Sequence, residues 1–256
     1  MIHPILANAA VYAIENATTE GKITVIVLLL LSLFSWTIII SKFRQLSIAR
    51  KATKKFMAAY SSTRDPLDIK KRGEDYDGAP AYSLYERGAE ELAYQLERNP
   101  VTVKGERRIS LSSYEAVKVV LEEAAAAQAM SLEKGMIVLS TAVAGGPFLG
   151  LLGTVWGVMS TFAGIAASNS ASLTAMAPGV AAALVATVTG LLVAIPAMFA
   201  YNFMVTTVRS ITQELDGFAS RFANQIEHTY VDNRDIEDKI AWALTRVEMG
   251  ENTPAI

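Results

Sequence analysis

The chain has 256 residues, no cysteine, a formal net charge of −2 and a mean hydropathy of +0.30. That composition excludes a disulfide scaffold, a thiolate metal or iron–sulfur site and a cysteine nucleophile, and implies no strongly acidic or basic partner. It also excludes an ordinary soluble domain. The 74 residues Gly135–Val208 hold no Asp, Glu, Lys, Arg or His, where the chain average would place about 14 charges, and a water-facing surface needs them.

In chain order, the N-terminal 22 residues lack a basic run ahead of an apolar core, so they are not read as a cleaved signal peptide. Ile23–Ser41 is charge-free for 19 residues. As a helix it is about 28 Å long, matching the ~30 Å hydrocarbon layer. Trp36 fits an interfacial anchor near its end. Lys42, Arg44, Arg50, Lys51, Lys54 and Lys55 follow, and no acid intervenes before Asp65. Positive charge stays inside, so the N-terminus is expected outside and the chain from Lys42 onward in the cytoplasm.

Ala52–Tyr60 continues the first span as a basic amphipathic helix. Arg64–Ala79 reads as a charged loop with Pro and Gly breakers. Tyr82, Tyr85, Ala89, Leu92 and Leu96 recur at helical spacing and predict one packed face. Asn99-Pro100 ends that helix. Ser112 with Glu115 suggests a capping box for the next, which runs to a break at Gly135. The charge-free stretch divides at its polar middle into a second span over 135–167 and a third over 174–208, each about 33 residues and too long for the hydrocarbon alone. Beyond it, Ile211, Leu215, Phe218, Phe222 and Ile226 form another amphipathic stripe. No strand pattern stands out. The expected organisation is a periplasmic segment (1–22), a first span (23–41), a cytoplasmic helical domain (42–134), a second span (135–167), a periplasmic loop (168–173), a third span (174–208) and cytoplasmic C-terminal helices (209–256).

The second span carries a stripe at alternating steps of three and four: Pro147, Gly150, Thr154, Gly157, Thr161, Gly164 and Ser168. The third repeats it as Ala183, Thr187, Gly190, Ala194 and Ala197. Two readings stand. One is helix packing, with Gly146-x-x-x-Gly150 and Gly153-x-x-x-Gly157 as close-approach pairs. The other is a narrow, slightly polar surface that lines a path or grips a partner helix, with the threonine hydroxyls bonding water or a carboxylate. Proton relays across membranes use Asp, Glu or His, and the three spans contain none. If protons move along this surface, another chain must supply the titrating acid.

No enzyme is expected: there is no phosphate loop, no metal-spaced histidine cluster and no nucleophilic triad, and neither cofactor nor metal is implied. His3 and His228 read as surface residues, Glu122-Glu123 and Asp235–Asp238 as solvated helix faces, and Asp65 and Asp68 as loop residues. The basic run after the first span reads as a topology signal drawn to anionic lipid rather than to nucleic acid, because stacking aromatics are sparse.

The run from Pro147 to Met159 (PFLGLLGTVWGVM) resembles the signature of the MotA/TolQ/ExbB proton-channel family, as does Ala177 to Ala197 (APGVAAALVATVTGLLVAIPA) followed by Tyr201-Asn202. The first span, ending Ser35-Trp36-Thr-Ile-Ile-Ile40 before basic residues, is similar to the TolQ branch. The resemblance implies an all-α membrane protein whose three long transmembrane helices extend into a cytoplasmic helical collar. Five copies would form a ring in the bacterial inner membrane. Its central lumen would hold single-span helices of an ExbD/TolR-type partner, each with an aspartate, and a TonB/TolA-type protein would carry the work outward. Matched motif by motif, Thr154 and Thr187 fall on the family's pore threonines. Thr161, Gly150, Gly157, Pro147 and Ala183 then join them on the lumen face. Gly146, Gly153, Pro178 and Pro196 take helix-packing roles. One position departs: many members carry a glutamate where this chain has Ala182. That throws more of the proton chemistry onto the partner. A non-conducting membrane scaffold, its stripes serving packing alone, is the competing reading.

Overall fold

The computed structural model describes residues 18–103, 105–168 and 173–232, without the side chains of 168 and 173–175. His3, Asp235–Asp238, most of the N-terminal segment, the middle of the 168–173 loop and the C-terminal residues from 233 lie outside the described residues. Among the described residues six helices and one hairpin follow in order: α1 (Thr19–Tyr60), α2 (Asp68–Arg72), α3 (Pro80–Arg98), β1 (Val101–Val103), β2 (Glu106–Arg108), α4 (Leu111–Glu133), α5 (Met136–Ser168) and α6 (Leu173–Tyr230). Three of these helices are long and apolar enough to cross a membrane: α1, α5 and α6. The chain divides into two compact units, Met1–Ile48 with Met130–Ile211 and Ala49–Ala129 with Thr212–Ile256.

The first unit holds the apolar parts of α1, α5 and α6. Thr18 caps α1, its hydroxyl accepting from the Gly21 N–H at 3.2 Å. The large side chains point outward. Leu33, Phe148 and Phe199 are exposed, Phe148 by 73%. Leu28, Leu139 and Met204 are the large exceptions that turn inward, and small residues such as Ala142, Ala183, Ala186 and Ala197 take other buried positions. Such an inverted surface suits a hydrocarbon solvent, in which outward-facing leucine and phenylalanine carry no penalty.

At the junction of α4 and α5 the helix breaks at Gly135, whose φ of 87° lies in the left-handed region open to glycine. Lys42, buried on α1, donates its ammonium to the carbonyls of Leu132 (3.0 Å) and Ser131 (3.4 Å) and to Gln45 Oε1 (2.8 Å). The C-terminal turn of α4 thus gains a cation where its free carbonyls gather. The sequence marked Lys42 for topology alone; the break it clamps is 90 residues away.

The second unit is built on aromatics. Phe56, Tyr60, Tyr76, Tyr82, Tyr85, Phe218 and Phe222 pack with ring centroids 5.1–6.3 Å apart. Of the predicted faces, Tyr85, Ala89 and Leu92 are buried on α3 with Tyr82 and Leu96 half-buried beside them, and Ile211, Leu215, Phe218, Phe222 and Ile226 are buried on α6. Burial pushes the Tyr85 hydroxyl up to about 12, and this oxygen accepts from the Lys70 N–H at 3.0 Å.

The helical architecture is as expected, with one short addition: β1 and β2 pair antiparallel, Val101 opposite Arg108 and Val103 opposite Glu106, beside Gly105 at φ 86°. Strands of three residues leave too little alternation to read. Two local expectations need correction. The Arg64–Ala79 loop contains a one-turn helix, α2, ended by Gly73 at φ 66°. The cap of α4 is Ser110, whose Oγ accepts from the Ser113 N–H at 3.2 Å, because the helix starts two residues earlier than a Ser112 cap requires; Glu115 pairs with Lys118 instead.

A parallel bridge joins Ile109 to Val231, with Ile109 N–H to Tyr230 O at 2.8 Å and Asp232 N–H to Ile109 O at 3.0 Å. Asp65, read as a loop residue, also holds this region. It accepts from the Leu67 N–H (2.9 Å), the Tyr230 hydroxyl (2.8 Å) and the Lys71 ammonium. Burial opposes its charge, but these donors prevail and keep the carboxyl below its ordinary value.

Candidate functional site

The site grows from residues too small to keep two helices apart. α5 and α6 run antiparallel within the first unit, and Gly146, Gly150, Gly153 and Gly157 of α5 each meet a small residue of α6. A Cβ added to Gly157 would fall 2.7 Å from Ala183 Cβ, and one on Gly153 would fall 2.6 Å from Ala186 Cβ and 3.3 Å from Thr24 Cγ2. A Cβ on Gly150 would sit 3.0 Å from Thr187 Cα, and one on Gly146 3.0 Å from the Gly190 carbonyl and 3.1 Å from Ala194 Cβ. Gly190 is the tightest backbone approach of these, since its Cβ would land 2.5 Å from the Gly146 oxygen. Backbone-to-backbone contact of this kind is how helices gain dispersion energy where no water is expelled.

That approach brings Thr154 and Thr187 together. Their hydroxyl oxygens are 3.2 Å apart. Thr187 Oγ1 donates to the Gly150 carbonyl at 3.0 Å, and Thr154 Oγ1 lies 2.7 Å from the Leu151 carbonyl. Two hydroxyl protons face three acceptors, so the bonding can switch: Thr154 donates either to Leu151 or to Thr187. The pair can orient water and pass hydrogen bonds along. It cannot hold a proton, since a neutral hydroxyl is no acid or base at ordinary pH.

The other sequence-selected residues divide by exposure. Gly150, Gly157 and Ala183 are buried between α5 and α6 of the same chain, with Gly146 and Gly153. Pro147, Thr154, Thr161 and Thr187 remain half-buried. Thr161 Oγ1 donates to the Gly157 carbonyl at 2.8 Å and packs against Gly179, where an added Cβ would meet that oxygen at 2.2 Å. Ala182 is half-buried on α6, as are Pro178 and Pro196. Gly164 is exposed with nothing near it, and the Ser168 side chain lies outside the described residues. His228 is exposed, as are Glu122 and Glu123.

Residues 89–217, which contain this pairing, match the model of the MotA/TolQ/ExbB proton channel family. The chain is 34% identical over 196 residues to the biopolymer transport protein ExbB of Pseudomonas putida, covering 76% of this chain and 56% of that one. It is 32% identical over 197 residues to ExbB of Xanthomonas campestris pv. campestris, covering 77% and 78%. To the Tol-Pal system protein TolQ of Haemophilus influenzae it is 30% identical over 215 residues, covering 81% and 89%. The chain spans little more than half the length of the Pseudomonas relative and most of the other two. With its paired threonines in the charge-free stretch that α5 and the first part of α6 share, the chain belongs to the MotA/TolQ/ExbB proton channel family.

Proposed function

We propose that this chain is the channel-forming stator subunit of a proton-motive-force-driven motor in the bacterial inner membrane. Copies of it assemble as a pentameric ring around a single-span ExbD/TolR-type partner, whose aspartate supplies the titrating group. The ring transmits energy to a TonB/TolA-type protein for outer-membrane transport or envelope maintenance. The N-terminus is periplasmic, and the segments after Lys42 and after Val208 are cytoplasmic. Relatives named for biopolymer transport and for the Tol-Pal system support this reading.

The observation that carries it is the Thr154–Thr187 contact in a stretch without one Asp, Glu, Lys, Arg or His. Hydroxyls beside small residues leave room for a partner's carboxylate and can hydrogen-bond to it or to water. The test is proton flux into vesicles containing both chains. Thr154→Val is isosteric and removes the hydroxyl; flux should fall about tenfold while the complex still assembles. Unchanged flux in that variant would refute the role of Thr154. Full flux from this chain alone would refute the need for a partner.

The second reading, a non-conducting scaffold, draws on one observation: Gly150 and Gly157 are spent on contacts within the chain. On that reading Thr154→Val is harmless, whereas Gly150→Leu still dissolves the assembly.

A further inference from the structure

The charge-free stretch Gly135–Val208 is bounded by Glu133-Lys134 at one end and Arg209 at the other. In the first unit these two ends meet around a cavity of about 360 Å3. Glu133, Ser140, Tyr201 and Arg209 give it polar walls, and Ile137 and Val205 belong to its apolar ones.

The cavity lies on the same helical face as the threonine pair. Two turns of helix return a side chain to nearly the same face after seven residues. Steps of seven lead from Thr154 through Pro147 to Ser140 on α5, and from Thr187 through Ala194 to Tyr201 and Val208 on α6. Ser140 is 14 residues from Thr154, about 21 Å along the helix axis. Glu133 stands just beyond the Gly135 break. Its neighbour Leu132 is held there by Lys42 at 3.0 Å, so the turn that presents Glu133 is fixed from α1. Glu133 itself is exposed, and no ion pair joins it to Arg209 among the described residues.

A proton leaving the hydroxyl face needs a group that can bind it and let it go, and hydroxyls do neither. Glu133 is the one carboxylate in the cavity wall. We propose that Glu133 is the proton acceptor at the cytoplasmic end of the path, receiving protons that arrive along the Thr154–Thr187 face and releasing them to water in the cavity it shares with Ser140, Tyr201 and Arg209. In each cycle an O–H bond of a hydrated proton breaks as one forms on the Glu133 carboxylate oxygen. The proton then passes to a cytoplasmic water, with no change of oxidation state. The proposal rests on the channel reading above.

The experiment compares flux in vesicles carrying both chains. Glu133→Gln should assemble normally and lose about a hundredfold in flux, at the low end of general acid–base contributions. Glu133→Asp should retain most of it. A membrane-impermeant buffer at high concentration on the cytoplasmic face should restore flux to Glu133→Gln, because it replaces the missing acceptor. Glu123→Gln, which removes an exposed carboxylate away from the cavity, should behave as wild type. Wild-type flux in Glu133→Gln would overturn the proposal and leave the channel reading standing. A loss that neither aspartate nor buffer repairs would mean a structural role and would overturn it equally. No flux in the wild-type complex would remove both.

Discussion

Where α5 and α6 of the first unit touch beside the threonine pair, the contact is made by glycine, alanine and threonine, and Phe148 and Phe199 face outward. The second unit buries Phe56, Tyr85, Phe218 and Phe222 at its centre and leaves Lys51, Glu90 and Glu122 on its surface. One chain therefore uses two packing schemes. In water, large apolar groups are driven inward at about 25 cal/mol per Å2 of buried surface. In hydrocarbon that drive vanishes, and close backbone contact and hydrogen bonds hold the helices together. The difference explains why hydroxyls line the contact in the first unit. Where no large side chain fills the interface, a threonine pair can sit half-buried and still be reached.

Mutations can break this comparison, and the largest effect belongs to the second unit. Phe222→Ala empties the space between Phe218, Tyr85 and Tyr60, and should destabilise that unit by about 3–5 kcal/mol in urea titration. Next comes Lys42→Met, which leaves the carbonyls at the end of α4 without their cation. A loss of about 2 kcal/mol is expected, seen as faster amide exchange near Gly135. In the first unit the size rule should reverse. Gly190→Ala adds one carbon where 2.5 Å separates it from a carbonyl and should cost about 1–3 kcal/mol. Phe199→Ala removes a whole ring from an exposed position and should shift stability within about 0.5 kcal/mol in detergent. A larger cost for Phe199→Ala than for Gly190→Ala would sink the two-solvent account.

The smallest effect is acid sensitivity in the second unit. Asp65 has a folded-state value below its unfolded one. Its stabilisation is therefore present in full above the unfolded value, about 3.9, and is lost as pH falls through the lowered folded value. Asp65→Asn should flatten the acid limb of the stability curve below about pH 4, followed by circular dichroism. An unchanged acid limb would show that the Tyr230 and Lys71 contacts leave Asp65 energetically idle.

Legibility differed by the range of the interaction. The three apolar helices, the α3 and α6 faces and the small-residue stripes follow from local period and composition, because a helix repeats its face every 3.6 residues whatever it packs against. Thr154 and Thr187 could be singled out on the same ground. Their 3.2 Å contact could not, since it depends on the register between α5 and α6 set by Gly146, Gly150, Gly153 and Gly157 against α6 residues far along the chain, from Ala183 to Ala194. The β hairpin escaped notice because three residues carry no periodic signal. Asp65 and Lys42 escaped because their partners, Tyr230 and Leu132, lie 165 and 90 residues distant.

What the sequence determined unaided is the solvent of each segment. A run of 74 residues without charge can be dissolved only by hydrocarbon or by protein, and a titrating group absent from the spans cannot be added by folding. Tertiary structure alone decided which small residues touch, which hydroxyls pair and which charges gather at the ends of that run. Those are distances between helices, and the intrahelical period that a sequence displays holds no information about how two helices slide past each other until their side chains interlock.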